Sequence, residues 1–235
     1  MGAGDDKLGS KVGSNEAVLA ATVILLRDGE AGLETLMLRR DSKIAFGGMS
    51  VFPGGRIDPE DWHGLPPDDE YGAARRAAVR EAFEECGLRI EADSVLQYAH
   101  WTPPAITPRR FITWFFVARA CEGEVAIDHG EIRESAWMRP ADALRSRDAG
   151  AIELAPPTFV TLADLTRHAD VDAALAAIGN RTAERFQTVI AMSDDGMVAL
   201  WHGDAGYASA DLRASGPRHR LEMPKARPWR YERTD

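Results

Sequence analysis

An α/β protein, built on one mixed sheet with helices on both faces, is the fold class this sequence predicts. Three observations carry that expectation. Apolar, β-branched runs at Ala17–Leu26 and Phe111–Ala120 read as buried strands. Between them, Tyr71–Cys86 is rich in Ala, Arg and Glu and stops at Gly87, the usual place for a helix-ending glycine. Ser193-Asp194-Asp195-Gly196 lies between two short apolar runs and reads as a hairpin turn, which argues against a purely parallel sheet.

The elements follow in order. Residues 1–14 are poor in apolar side chains and rich in Gly and Ser, so a disordered tail is expected. Arg27-Asp28-Gly29-Glu30 turns the first strand into a second, Leu33–Leu38, and a glycine-rich stretch runs from Phe46 to Gly55. Residues 56–70 hold Pro59, Pro66, Pro67 and six acids, and read as loop. Asp68, Asp69 and Glu70 suit the positive end of the helix that follows. Val95–Trp101 reads as a strand, joined to Phe111–Ala120 by the proline-bearing loop Thr102–Arg110. A short strand at Ser135–Met138, helices at Pro140–Arg147, Thr161–His168 and Val171–Ile178, and the hairpin Thr188–Trp201 complete the reading. The tail Pro217–Asp235 is basic and proline-containing, and no repeat of fixed period is visible.

Composition narrows the function classes. The 235 residues include 45% hydrophobic side chains, enough for a core without disulfides. A formal charge of −9 repels nucleic acid polymers and anionic membranes. A small anion is still admissible where local arginines or bound cations invert the charge. Cys86 and Cys121 form no CxxC pair and read as reduced thiols. No signal peptide and no run of about 20 apolar residues is evident, so a cytoplasmic protein is expected.

The chemistry concentrates on the helix. At about 100° per residue, Glu81, Glu84 and Glu85 share an arc of roughly 100°, with Val79, Ala82, Phe83 and Cys86 expected on the opposite, buried side. Like charges at this spacing repel, and the helix C-terminus disfavours anions, so a divalent cation would relieve both costs. Oxygen ligands suit Mg²⁺ or Mn²⁺. By spacing alone, however, the three acids read more simply as a solvated face partnered by Arg75, Arg76, Arg80 and Arg89.

Arg80-Glu81-Ala82-Phe83-Glu84-Glu85-Cys86-Gly87-Leu88 resembles the second half of the Nudix hydrolase signature, GX5EX7REUXEEXGU with U aliphatic, at every specified position. Gly55, after Phe52-Pro53-Gly54, fits its opening glycine. Asp61 stands near the first glutamate's place, and eighteen residues separate it from Arg80 where the pattern has seven. Trp101-Thr102-Pro103, Arg109-Arg110-Phe111 and Pro156-Pro157-Thr158-Phe159 are similar to the branch of the peroxisomal coenzyme A diphosphatases. The resemblance implies a Nudix-type α/β/α sandwich at 15–150, with 151–235 as an α+β extension packed on the same domain.

It also implies metal-dependent hydrolysis of a nucleoside diphosphate linked to another group, with coenzyme A or acyl-coenzyme A as the leading substrate. A non-catalytic ligand-binding or regulatory module is the alternative. Glu81, Glu84 and Glu85 are the implied metal ligands, with Gly55 contributing a carbonyl and Gly54 a close backbone approach. Glu81 is a ligand or a base, and Arg80 fixes a carboxylate rotamer. Asp58 and Asp61 are either loop acids in solvent or further ligands. Glu131, ahead of Glu134 and Trp137, is the favoured extra base. Arg40, Arg109 and Arg110, with Arg39, are candidates for phosphate contact. Phe46 and Trp101 are either core aromatics or base-stacking surfaces. No histidine has metal-site spacing. Family members often dimerise, so a homodimer is open.

Overall fold

The structure is a computed structural model that describes residues 17–42, 46–108, 110–121, 123–128, 130–226 and 228–234. The expected tail at 1–14 lies outside them. Strand β1 (Val18–Gly29) turns back into β2 (Gly32–Arg40), and the short strands β3 (Ser50–Val51) and β4 (Gly54–Arg56) follow. Helix α1 (Glu70–Cys86), strands β5 (Leu96–Thr102), β6 (Phe111–Arg119) and β7 (Ile132–Met138), and helix α2 (Pro140–Asp148) come next. Then come α3 (Pro156–Leu165), α4 (Val171–Gly179) and β8 (Glu184–Gln187). Four strands close the chain: β9 (Val189–Ser193), β10 (Gly196–Leu200), β11 (His219–Pro224) and β12 (Arg230–Arg233).

The main sheet has eight strands, in the order β3-β2-β1-β6-β5-β8, with β4 also pairing β1 and β7 pairing β2. It is mixed. β1 runs parallel to β6 from Val18↔Phe111 to Leu26↔Arg119, while β1–β2 and β5–β6 are antiparallel. The apolar run of β1 follows from burial on both faces. Ala21, Val23 and Leu25 pack under α1, whereas Ile24 and Leu26 join a layer with α3, α4 and the second sheet. That second sheet is antiparallel, ordered β12-β11-β10-β9. Trp101 of β5 stacks on Phe186 of β8 at 3.8 Å and 4° between planes, so Trp101 belongs to the core.

Three sequence expectations need correction. Strands β8, β11 and β12 stand where none was expected. Helix α3 begins at Pro156 rather than near Thr161, because prolines suit the first helical turn, where no intrahelical N–H bond is lost. Within the expected loop at 56–70, Pro59–Trp62 forms a 3₁₀ turn that buries Asp61.

Candidate active site

Helix α1 starts where Asp69 accepts a hydrogen bond from the Gly72 N–H at 2.9 Å, and ends at Gly87, whose φ is 72°. Its buried face consists of Ala73, Ala74, Ala77, Ala78, Ala82 and Cys86, together with Glu85. Small side chains let the helix lie close to the sheet. On the helical wheel these alanines flank Glu81 and Glu85, which corrects the expected division into an acidic and an apolar side. Phe83, expected to be buried, is 45% exposed and lies under the Arg89 guanidinium at 4.3 Å. Only Glu84 of the three glutamates is well exposed.

Acids can follow alanines on this face because β4 meets them with backbone. The Gly54 N–H donates to Glu85 Oε2 at 2.9 Å. A Cβ on Gly55 would collide with the Glu81 carboxylate, and one on Gly54 with Thr22 and the Ala21 carbonyl. Both glycines are therefore set by close approach. Glu85 is 4% exposed, and its Oε1 has no hydrogen-bond partner among the described residues. Burial pushes its carboxyl up to about 7, against the Gly54 hydrogen bond and the charge of Arg40. Burial likewise raises Glu81, with Arg80 opposing.

Arg80 ties the loop to the helix. Its Nε and Nη2 donate to the two carboxylate oxygens of Asp61 at 3.2 and 2.9 Å, a forked pair. Nη1 donates to Glu81 and Glu84, each at 2.9 Å, and Nη2 also reaches the Arg56 carbonyl at 3.0 Å. Burial works to lower the guanidinium pKa, but the bonds to Asp61 and Glu81 hold it above its ordinary value. Asp61 is thus buried as the partner of Arg80. Sequence spacing could not show this, because the pair is 19 residues apart.

Arg40, at the end of β2, bridges the other side. It donates to Glu131 at 2.5 Å, lies 3.6 Å from Glu85 Oε1, and reaches the Gly54 carbonyl at 3.4 Å. Glu131 is thereby brought to the carboxylate helix, while Asp128 only caps the turn leading to it, accepting from the Glu131 and Ile132 N–H groups. Arg39 makes an exposed pair with Glu134 at 3.4 Å. Arg110 precedes β6 with its Nε buried and unpartnered among the described residues, and Arg109 lies outside them. Phe46, which sequence reasoning left between core and surface, is 44% exposed and 5.7 Å from Phe111. Its φ of 59° is costly for a bulky residue.

The donor set fits a divalent cation. Glu85 Oε1 is a buried carboxyl oxygen with no hydrogen bond among the described residues, only the Arg40 guanidinium 3.6 Å away, and Glu81 and Glu84 supply further hard oxygens on the same helix. Among the described residues no three such side chains are already gathered as a cage, and Glu81 and Glu84 are both paired with Arg80.

The fold and these carboxylates define a class that comparison bears out. The NUDIX domain profile matches residues 17–157, and the chain belongs to the Nudix family. It is 30% identical over 175 residues to a Caenorhabditis elegans protein that carries the name nudix hydrolase 7, covering 58% of this chain and 57% of that one. The chain thus spans a little over half the length of that relative. An RNA pyrophosphohydrolase of Dinoroseobacter shibae is 32% identical over 119 residues, 43% of this chain and 74% of its own. The crystal structure of a NUDIX hydrolase from Alicyclobacillus acidocaldarius superposes with a TM-score of 0.63 at 22% identity, over 72% of this chain and 97% of that one, a likeness of fold.

Proposed function

We propose that the protein hydrolyses the pyrophosphate bond of a nucleoside diphosphate linked to another group, with Mg²⁺ or Mn²⁺ held by Glu81, Glu84, Glu85 and the Gly55 carbonyl. The observation that carries this reading is the buried Oε1 of Glu85, without a hydrogen bond among the described residues, on a helix with two further glutamates and against the glycine backbone of β4. When bound, the ion neutralises the diphosphate and makes water more acidic. In the reaction a water oxygen bonds to one phosphorus as the bridging P–O bond breaks, giving two phosphorylated products.

The chain's own groups divide the remaining work. Arg80 keeps Glu81 and Glu84 in place through its fork on Asp61. Arg40 and Arg110 offer guanidinium groups to the phosphates. Glu131, whose exposed carboxylate is paired with Arg40 and whose backbone is fixed by Asp128 and Asp41, is the acid assigned to take the proton from water. The half-exposed ring of Phe46, tilted 54° against Phe111, offers one aromatic face for the base of a nucleoside. Coenzyme A or an acyl-coenzyme A is the preferred substrate within this class. A polymeric RNA, the substrate named for the bacterial relative, is disfavoured by the net charge of −9.

The test is a panel of coenzyme A, acyl-coenzyme A, nucleotide sugars, dinucleotides and triphosphate-ended RNA, each with Mg²⁺ and Mn²⁺, on the wild type, Glu84→Gln and Glu85→Gln. Turnover by the wild type and its collapse in both variants is expected. No turnover of any compound, or full rates in the variants, would leave a ligand-binding module instead.

A further inference from the structure

Residues beyond the family-matched segment, together with Tyr98 of β5, line an open cavity of ≈ 730 Å³ on the sheet face away from α1. That volume is in the range of small-molecule sites. Its walls come from β5, α3, the turn into β8, and β12. Three guanidiniums line it, from Arg167, Arg181 and Arg233, against two carboxylates, Asp164 and Glu184. One positive charge is left over, on a chain whose net charge is −9.

The pairing identifies which cation is spare. Arg181 donates to Asp164 at 2.8 Å, and the Tyr98 hydroxyl donates to the same carboxylate at 2.9 Å. Arg233 is committed to Glu184 at 2.6 Å. Arg167 lies 3.8 Å from Asp164, too far for a hydrogen bond, with its side chain 74% exposed. Beside these charges stand Val160, Phe186 and the ring of Tyr231, an apolar wall. Apolar lining with a few placed polar groups is the usual make-up of a ligand site.

From this geometry we propose that the cavity is a second binding site, for a small organic anion: a phosphate or carboxylate carried on an apolar or aromatic body. Arg167 receives the anionic group and the Val160–Phe186–Tyr231 wall receives the body. The site is independent of the carboxylate helix and does not rest on the hydrolytic reading.

The test is calorimetric titration of the full chain in excess EDTA with adenosine monophosphate, hexanoate and inorganic phosphate. Saturable one-to-one binding of adenosine monophosphate or hexanoate, at least tenfold tighter than phosphate, is expected; which of the two binds separates a phosphate from a carboxylate ligand. Arg167→Glu should weaken it at least tenfold without moving the melting temperature, and Ala163→Phe should weaken it by filling the space. Glu85→Gln should leave it unchanged. The proposal fails if none of the three binds saturably, if phosphate binds as tightly as the organic anions, if Arg167→Glu leaves binding unchanged, or if Glu85→Gln removes it.

Discussion

Two carboxylates, one on α1 and one beside the second sheet, are equally hidden from water and opposite in character. Asp204 is 6% exposed and fully served: it accepts from the Gly206 and His219 N–H groups at 2.8 and 2.9 Å, and from Arg220 at 2.7 and 2.6 Å. Burial works to raise its pKa, but those bonds outweigh it and hold the group at about 2. Glu85 has one backbone donor and an Arg40 guanidinium 3.6 Å away, and it stands at about 7. Depth alone therefore says little about what an acid is for. The number of donors aimed at it separates a saturated structural anion from one with an oxygen still open to a ligand, the property on which the proposed metal role of Glu85 rests.

The largest effect that would test this contrast is on stability. Asp204→Ala strands Arg220, itself buried, and is expected to cost about 3–5 kcal/mol in chemical denaturation, with hydrolysis per folded molecule unchanged. A cost below about 1 kcal/mol would break the comparison.

Next comes pH. Because the Glu85 pKa is raised from 4.5 to about 7 on folding, the folded chain binds the extra proton. The chelated protein should lose on the order of 3 kcal/mol as pH rises through that window, and Glu85→Gln should flatten the slope. Asp204 acts with the opposite sign: its contribution is present above the ordinary aspartate range and lost as pH falls toward 2. Denaturation midpoints from pH 2 to 8 check both.

Smaller effects sharpen the picture of the site. Arg80→Lys keeps the charge but loses the fork, and turnover is expected to fall 10–100-fold, in the range seen for supporting residues of metal sites. An unaltered rate would remove Arg80 from the site. Gly87→Ala forces a Cβ into the left-handed cap close to Ala126, and should cost about 1–2 kcal/mol in thermal unfolding.

Much of the family-matched segment was legible in sequence. The strands at 18–29 and 111–119 announce themselves because both faces are buried, and α1 because its cap, alanines and Gly87 agree. The carboxylate face was half legible. Its last two turns, read alone, put Phe83 inside, whereas the alanines of the earlier turns fix which side faces the sheet. The Arg80–Asp61 fork was hidden by the long insertion between the two residues. Least legible were β8, β11 and β12. Arg230-Tyr231-Glu232-Arg233 is charged at three of four positions, and its strand geometry is imposed by pairing with β11.

The pairing of β8 with β5 has a practical consequence for anyone who trims this chain. Expression of residues 17–157 alone would strip a strand from the border of the main sheet and uncover the indole of Trp101. Unsatisfied amides beside a bare aromatic make a template on which copies can stack. A truncated fragment is therefore expected to aggregate more readily than the longer chain, in which β8 covers that edge.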